Sequence, residues 1–148
     1  MDYVVRMYVA DDLDAVLFAW EDASKIAHPF LTEAFLDTER YNIPNLYLPN
    51  AETWVIEQNG QVTGFIALLG NEIGAIFVRA DCHGTGAGRA LMEKAKQLHG
   101  DLEVEVFEAN SIGRKFYTAC GFTFLSNSIH EPTGQPVLRL EFHGDIQN

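Results

Sequence analysis

Metal-ligand spacing is missing from this sequence. The two cysteines, Cys82 and Cys120, form no Cys-x-x-Cys pair, and the five histidines (His28, His83, His99, His130, His143) show no His-x-x-x-His repeat. Zinc sites and disulfide frameworks depend on such spacing, so no metal is expected, and a reducing, cytoplasmic setting is the default. Positive charge is scarce too: 10 Lys+Arg against 21 Asp+Glu give a formal net charge of −11. Such a surface repels phosphate backbones, which argues against nucleic-acid binding, and draws a cationic amine or a lysine-bearing peptide towards it. No run of about twenty apolar residues is present, so no membrane span or attachment is expected. Met1 to Tyr8 alternate as a strand with charges in it and not as a signal peptide. Repeats, low-complexity stretches and linkers are absent. The 148 residues, 47% of them hydrophobic, suit one domain over 1–148 with a buried core.

What is present reads as alternating elements. Val4, Val5, Met7 and Val9 open a strand, and Asp11-Asp12 cap a helix whose apolar stripe is Leu13, Val16, Leu17 and Trp20. His28-Pro29 ends it. Thr32 caps a second helix running to about Arg40, and 41–50, with Pro44 and Pro49, reads as a loop. Two strands, 53–56 and 62–69, flank the hairpin signal Asn59-Gly60, and 73–78 read as a strand buried on both faces. A glycine-rich turn then enters a helix with Leu91, Ala95 and Leu98 inward. Leu102 to Val106 alternate as a strand with one acidic face. Asn110-Ser111 cap a helix with Ile112, Phe116 and Ala119 inward, stopped by Gly121. Strands at 122–125 and 137–142 surround the turn Pro132-Thr133-Gly134. This order predicts one mixed α/β layer fold.

The chemistry concentrates at 76–91, where a strand runs through Gly84-x-Gly86-x-Gly88 into a helix. Such a turn aims free backbone N–H groups and the helix dipole at one point, a site for phosphate or pyrophosphate. A flexible connection with no ligand is the bland alternative. The nucleotide-triphosphatase loop fails for want of Gly-Lys-Ser/Thr. The dinucleotide fingerprint is broken by Arg89, although Glu103 or Glu105 lies near the spacing expected of its ribose-binding acid.

The pattern Val78-x-x-x-x-His83-Gly84-x-Gly86-x-Gly88-x-x-Leu91 resembles the acyl-CoA-binding motif of the GNAT superfamily of N-acetyltransferases, written Gln/Arg-x-x-Gly-x-Gly/Ala. The run from Asn110 to Phe122, with Phe116-Tyr117 and Gly121-Phe122, resembles the second signature of that superfamily. One departure is His83, which stands where the family usually has Gln or Arg. The resemblance covers the hairpin to Phe122 well, and 1–50 in element order alone.

The resemblance implies a mostly antiparallel seven-stranded sheet with a central splayed parallel pair and about four helices. It implies acetyl-CoA as co-substrate, held by Phe77, Val78, His83, Gly84, Thr85, Gly86, Ala87, Gly88, Arg89, Asn110 and Arg114, with Arg79 as a further candidate for the pyrophosphate. An N–H at Phe77 or Val78 would hold the thioester carbonyl. Tyr117 matches the family's general acid for the departing thiolate, and would otherwise be a rim aromatic beside Phe116. Asn110 would lie near the pantetheine, or serve only as a helix cap. For the general base, Glu105 ranks first on its position near the cleft, ahead of Glu103, Glu72, His28 and a water chain. The acceptor pocket is expected from His28, Phe30, Tyr41 and Tyr47, with Trp20 better explained by the core. The reaction implied is acetyl transfer to a primary amine, whether a small molecule, a protein N-terminus or a lysine-bearing protein. A CoA-binding sensor without turnover and a dinucleotide-binding domain are the competing readings. Monomer and homodimer both remain open.

Overall fold

A computed structural model describes residues 2–144. Met1, which the expected first strand includes, lies outside the described residues. β1 (Tyr3–Met7) leads through a short 3-10 turn into α1 (Leu13–Ala27) and α2 (Glu33–Asn42). A π-helical turn over Ile43–Tyr47 and the brief α3 (Leu48–Asn50) follow. Then come β2 (Glu52–Gln58), β3 (Gln61–Leu69), β4 (Glu72–Val78), α4 (Ala87–His99), β5 (Leu102–Phe107), α5 (Ser111–Ala119), β6 (Thr123–His130) and β7 (Gln135–Phe142). The seven strands form one sheet in the order β1-β2-β3-β4-β5-β7-β6. Every neighbouring pair is antiparallel except β4 and β5, which are parallel. The expected sheet is therefore found, with four principal helices and α3 added.

Local chemistry explains the boundaries. Asn59 (φ 55°) and Gly60 (φ 80°) both take the left-handed conformation that a two-residue hairpin needs. Thr32 caps α2 by accepting the Phe35 N–H at 3.1 Å. Asp12 accepts the Val9 N–H at 2.9 Å and binds the Arg6 guanidinium, tying β1 to the start of α1. Its carboxyl is held below its usual range, chiefly by that Arg6 hydrogen bond.

The sheet is covered on both faces. On one, α4 and α5 bury Leu91, Met92, Leu102, Val104 and Val106 against the central strands. Full burial of Leu91 or Met92 stabilises by roughly 1.5–3 kcal/mol each. On the other, α1 packs Val16, Ala19 and Trp20 against Val55, Phe65 and Ala67. Among the described residues no helix is long and apolar enough to cross a membrane.

Three details depart from the sequence reading. Residues 41–50 are helical, not a loop: the Leu48 N–H reaches back to Ile43 O, and Pro44 sits in the first turn, where a missing N–H is tolerated. The inward face of α5 is Phe116, Tyr117 and Cys120, whereas Ile112 is 46% exposed; in α4, Met92 is buried and Leu98 is 42% exposed. β4 is only partly buried, with Gly74 exposed and Ala75, Ile76 and Phe77 intermediate, because it borders open clefts.

Candidate active site

The site begins with a strand that cannot follow its neighbour. β4 and β5 are in register only at Glu72↔Glu103 and Ile73↔Val104. On its other side β4 pairs Ile73 with Leu68 and Ala75 with Ala67, so Gly74 has no partner in β3. This bulge bends β4 just where its pairing with β5 stops. Beyond it the two strands diverge and leave a gap.

Strand alternation decides which backbone groups face that gap. The Arg79 N–H donates to Thr63 O at 2.9 Å, and the register runs Val78↔Gly64 and Phe77↔Phe65. In an antiparallel ladder, bonded and non-bonded pairs alternate. Arg79 and Phe77 therefore bond to β3, and the Val78 N–H points away, towards the gap. Gly64 permits this approach, since a Cβ there would lie 2.8 Å from Phe77 O and 2.9 Å from Val78 Cγ2.

The turn after β4 uses left-handed backbone at Gly84 (φ 80°) and Gly86 (φ 91°). Ala90 N–H is bonded to Gly86 O at 2.9 Å, so the amides of Ala87, Gly88 and Arg89 precede the first intrahelical bond of α4. Gly88 brings α4 close to α5, where a Cβ would meet the Phe116 ring at 3.1 Å. Thr85 Oγ1 donates to Cys82 O at 2.6 Å and accepts from Gln58 Nε2 at 3.2 Å, anchoring the turn. The His83 Nε2–H donates to Val78 O at 2.8 Å, joining the turn to the end of β4. A groove of about 460 Å³ is lined by Val78 and by His83, Gly84, Gly86 and Gly88 of this turn; the Thr85 and Ala87 side chains do not line it. Arg89 lines it, whereas Arg79 is paired with Asp81 at 2.6 Å and Arg114 donates to Glu108 O at 3.0 Å.

A second cavity, of about 280 Å³, opens on the α1 face. It shares Ile76, Phe77, Asn110 and Tyr117 with the groove, so the two meet at the splay. Tyr117 is 8% exposed, with its ring edge-on to Phe116 and Phe122. Burial pushes its phenol well above the ordinary value. Asn110 caps α5 by accepting the Gly113 N–H at 2.9 Å, and its Nδ2 donates to His28 Nε2 at 3.2 Å. The expected helix cap is thus present, and the same side chain lines both cavities.

His28 stands among the rings of Phe30, Phe77 and Phe107 at 5.8, 6.1 and 5.2 Å. Burial lowers its pKa to about 4. A ring so reluctant to take a proton, with Nε2 already accepting from Asn110, is a poor general base. Phe30 backs the His28 ring without lining the cavity, and Tyr41 is 68% exposed at the end of α2, outside both cavities. Tyr47 does line it, donating its hydroxyl to Glu39 Oε2 at 2.7 Å.

The charged side chains lining this cavity are Glu39, Glu72 and Glu105; no Lys or Arg is among them. Glu72 is paired with Arg139 at 3.1 Å, and so is Glu103 at 3.0 Å. Glu105 makes no ion pair or side-chain hydrogen bond among the described residues. Glu39, Ser24 and His130 also line the cavity and were not singled out in the sequence. The His130 ring lies 5.2 Å from Phe107, and the buried Ser24 hydroxyl has no hydrogen-bond partner among the described residues. No linear signal marks these three, because α1, α2 and β6 meet only in the fold. Among the described residues no cluster of three or more His, Cys, Asp or Glu could hold a metal ion.

A groove with an anion-holding turn, meeting a carboxylate-lined cavity at a strand gap, is the layout of a two-substrate transferase. The acetyltransferase (GNAT) domain matches residues 49–124. The peptidyl-lysine N-acetyltransferase YiaC of Escherichia coli is 30% identical over 134 residues, covering 90% of this chain and 92% of that protein. The peptidyl-lysine N-acetyltransferase YjaB of the same organism is 31% identical over 143 residues, 95% and 97% of the two chains. The solution structure of apo YjaB superposes with a TM-score of 0.87, covering 98% of this chain and all of that one. A PaiA N-acetyltransferase from Thermoplasma acidophilum, solved with coenzyme A, shares the fold at 16% identity and a TM-score of 0.74, covering 94% and 98%. The chain belongs to the GNAT acetyltransferase family and is an acetyl-CoA-dependent acyltransferase. The sensor and dinucleotide readings give way to that assignment.

Proposed function

We propose that the protein transfers the acetyl group of acetyl-CoA to the ε-amine of a lysine in a protein or peptide. The observation that carries the reading is the cavity's charge: three carboxylates and no Lys or Arg line the chamber that meets the donor groove. Such a chamber favours an ammonium-bearing guest. Two relatives named for peptidyl-lysine acetylation support the same acceptor class.

The donor's pyrophosphate lies on the amides of Ala87, Gly88 and Arg89 and on the turn glycines, with the Arg89 side chain beside it. His83 serves by fixing the turn to Val78 O, not by binding phosphate. The acetyl carbonyl accepts from the Val78 N–H, which polarises it and then holds the oxyanion. Lysine enters as the ammonium and gives a proton to Glu105 or to water beside it, because only the neutral amine attacks. Nitrogen bonds to the carbonyl carbon, the tetrahedral intermediate collapses, the carbon–sulfur bond breaks, and the thiolate takes the Tyr117 proton. The new amide nitrogen gives up its remaining extra proton through water, which returns Tyr117 to the phenol. Burial keeps that phenol protonated; the same dry surroundings raise the basicity of the departing thiolate, so the transfer stays feasible.

Tyr117→Phe tests the assignment. Acetylation of a lysine peptide, followed by mass spectrometry, falls about 100-fold or more in kcat, while calorimetric acetyl-CoA binding is retained. Full activity in the variant removes Tyr117 as the acid. A wild-type protein that acetylates spermidine but no lysine peptide overturns the acceptor class.

A further inference from the structure

The acceptor face holds an arginine that ought to disable it. In the β5–β7 register, Arg139 stands directly opposite Glu105. Residues so placed have Cβ atoms about 4.5–5.5 Å apart, and opposite charges in that position ordinarily pair. Here they do not. Arg139 Nη1 donates to Glu103 Oε1 at 3.0 Å and Nη2 donates to Glu72 Oε2 at 3.1 Å. Those two carboxylates are themselves register partners on β5 and β4, at the closed end of the splay. The guanidinium therefore stitches the two strands at their paired end, one residue before the splay, and Glu105 is left without an ion-pair partner among the described residues.

The surrounding charges account for this choice. Glu103 stands opposite Glu141, a like charge, and Glu141 pairs with His143 at 3.2 Å. Arg139 is the one cation that makes ion pairs with Glu72 and Glu103 among the described residues. Two carboxylates on the closed side outweigh the single one opposite, and the planar fork of arginine suits two acceptors at once.

Resting on the reading of Glu105 as the group that meets the acceptor amine, we propose that Glu72 and Glu103 are positioning residues which hold Arg139 off Glu105. Without them the guanidinium turns to its cross-strand neighbour. The acceptor ammonium then competes with a tethered guanidinium for the same oxygens.

The test is a reversal. Glu72→Gln/Glu103→Gln keeps the shape of both side chains and removes their charge. Its kcat/KM for a lysine peptide falls about tenfold or more, the scale of losing a charge-assisted contact. Adding Arg139→Gln to that double variant raises kcat/KM about threefold or more above the double variant, since no guanidinium is left to block Glu105, while the loss of the Glu72 charge from the cavity keeps it below wild type. All assays run in high salt, which screens the long-range attraction lost with two carboxylates. Calorimetric acetyl-CoA binding reports an intact donor groove in each protein. Should the double variant fail to hold acetyl-CoA, the single variants carry the test, each giving a smaller loss that Arg139→Gln reverses. A double variant as active as wild type overturns the proposal, and so does a triple variant as poor as the double. Glu105→Gln separates the underlying reading: an unchanged kcat/KM there removes Glu105 from the reaction, whereas a drop there without the reversal refutes the Arg139 proposal alone.

Discussion

Replacing His28 by glutamine should make the fold less sensitive to acid. In the folded protein the ring is packed among aromatic side chains, and its pKa is lowered from 6.5 to about 4 by burial. The unfolded chain therefore takes up this proton first as the pH drops. The stability tied to neutral His28 is complete above about pH 6.5, declines as the pH falls towards about 4, and is flat below. Between those two values, at about 1.4 kcal/mol per pH unit, the wild type loses about 3 kcal/mol from this one group. That is a large part of a typical domain stability of about 5–15 kcal/mol. The substituted glutamine has nothing to titrate, yet its carbonyl can accept from Asn110 Nδ2 as the ring nitrogen does now. Guanidinium unfolding of both proteins at about pH 7 and about pH 4.5 measures the effect. Wild type should lose roughly 2–3 kcal/mol more than His28→Gln across that interval. Asp12 and Glu52, whose carboxyls are held low chiefly by hydrogen bonds from Arg6 and Trp54, lose their contributions at lower pH and do so equally in both proteins. Parallel pH dependence in the two proteins would refute the buried, neutral His28.

Two glycines give sharper tests of the donor side. Gly86→Ala meets no atom within 4 Å, so its cost lies wholly in the backbone at φ 91°, about 1–2 kcal/mol. Calorimetry should show acetyl-CoA binding weakened about tenfold, and unaltered affinity with an unaltered melting temperature would show that the left-handed turn is not required. Gly64→Ala places a Cβ 2.8 Å from Phe77 O, so β4 must shift where the Val78 N–H is aimed. Steady-state kinetics should show kcat reduced about tenfold, with KM for the amine little altered, if that N–H acts in the transition state.

The parts legible in the sequence were those fixed locally. Asn59-Gly60, the Thr32 cap and the Gly84 and Gly86 turn each depend on backbone angles or caps set by a few adjacent residues. Residues 41–50 misled because two prolines look like breakers, while the chain used a π turn that leaves Pro44 unburdened. The stripe of α5 was misjudged by one position: Tyr117 and Cys120 face the core beside Phe116, and Ala119 does not. The splay was expected from resemblance, but its cause, an unmatched Gly74, needs the register of three strands. His28 looked like a candidate base in the sequence; only its aromatic surroundings and its Asn110 contact show why it is unsuited.

The two halves of the site differ in legibility for a physical reason. The donor half is made of backbone N–H groups, and a chain can present several of them at one point only where glycines free the angles; the sequence must therefore declare it. The cavity proposed for the acceptor draws its polar side chains from scattered elements, among them Ser24 on α1, Glu39 on α2, Glu72 on β4, Glu105 on β5 and His130 on β6. No spacing rule links them, and each could change without disturbing the turn at Gly84–Gly88. Amine preference in this fold is thus free to vary while the donor site stays put, and it must be read from charge and shape in the assembled cavity. On that reading the decisive feature is which of the carboxylates is left unpaired, and it is Glu105.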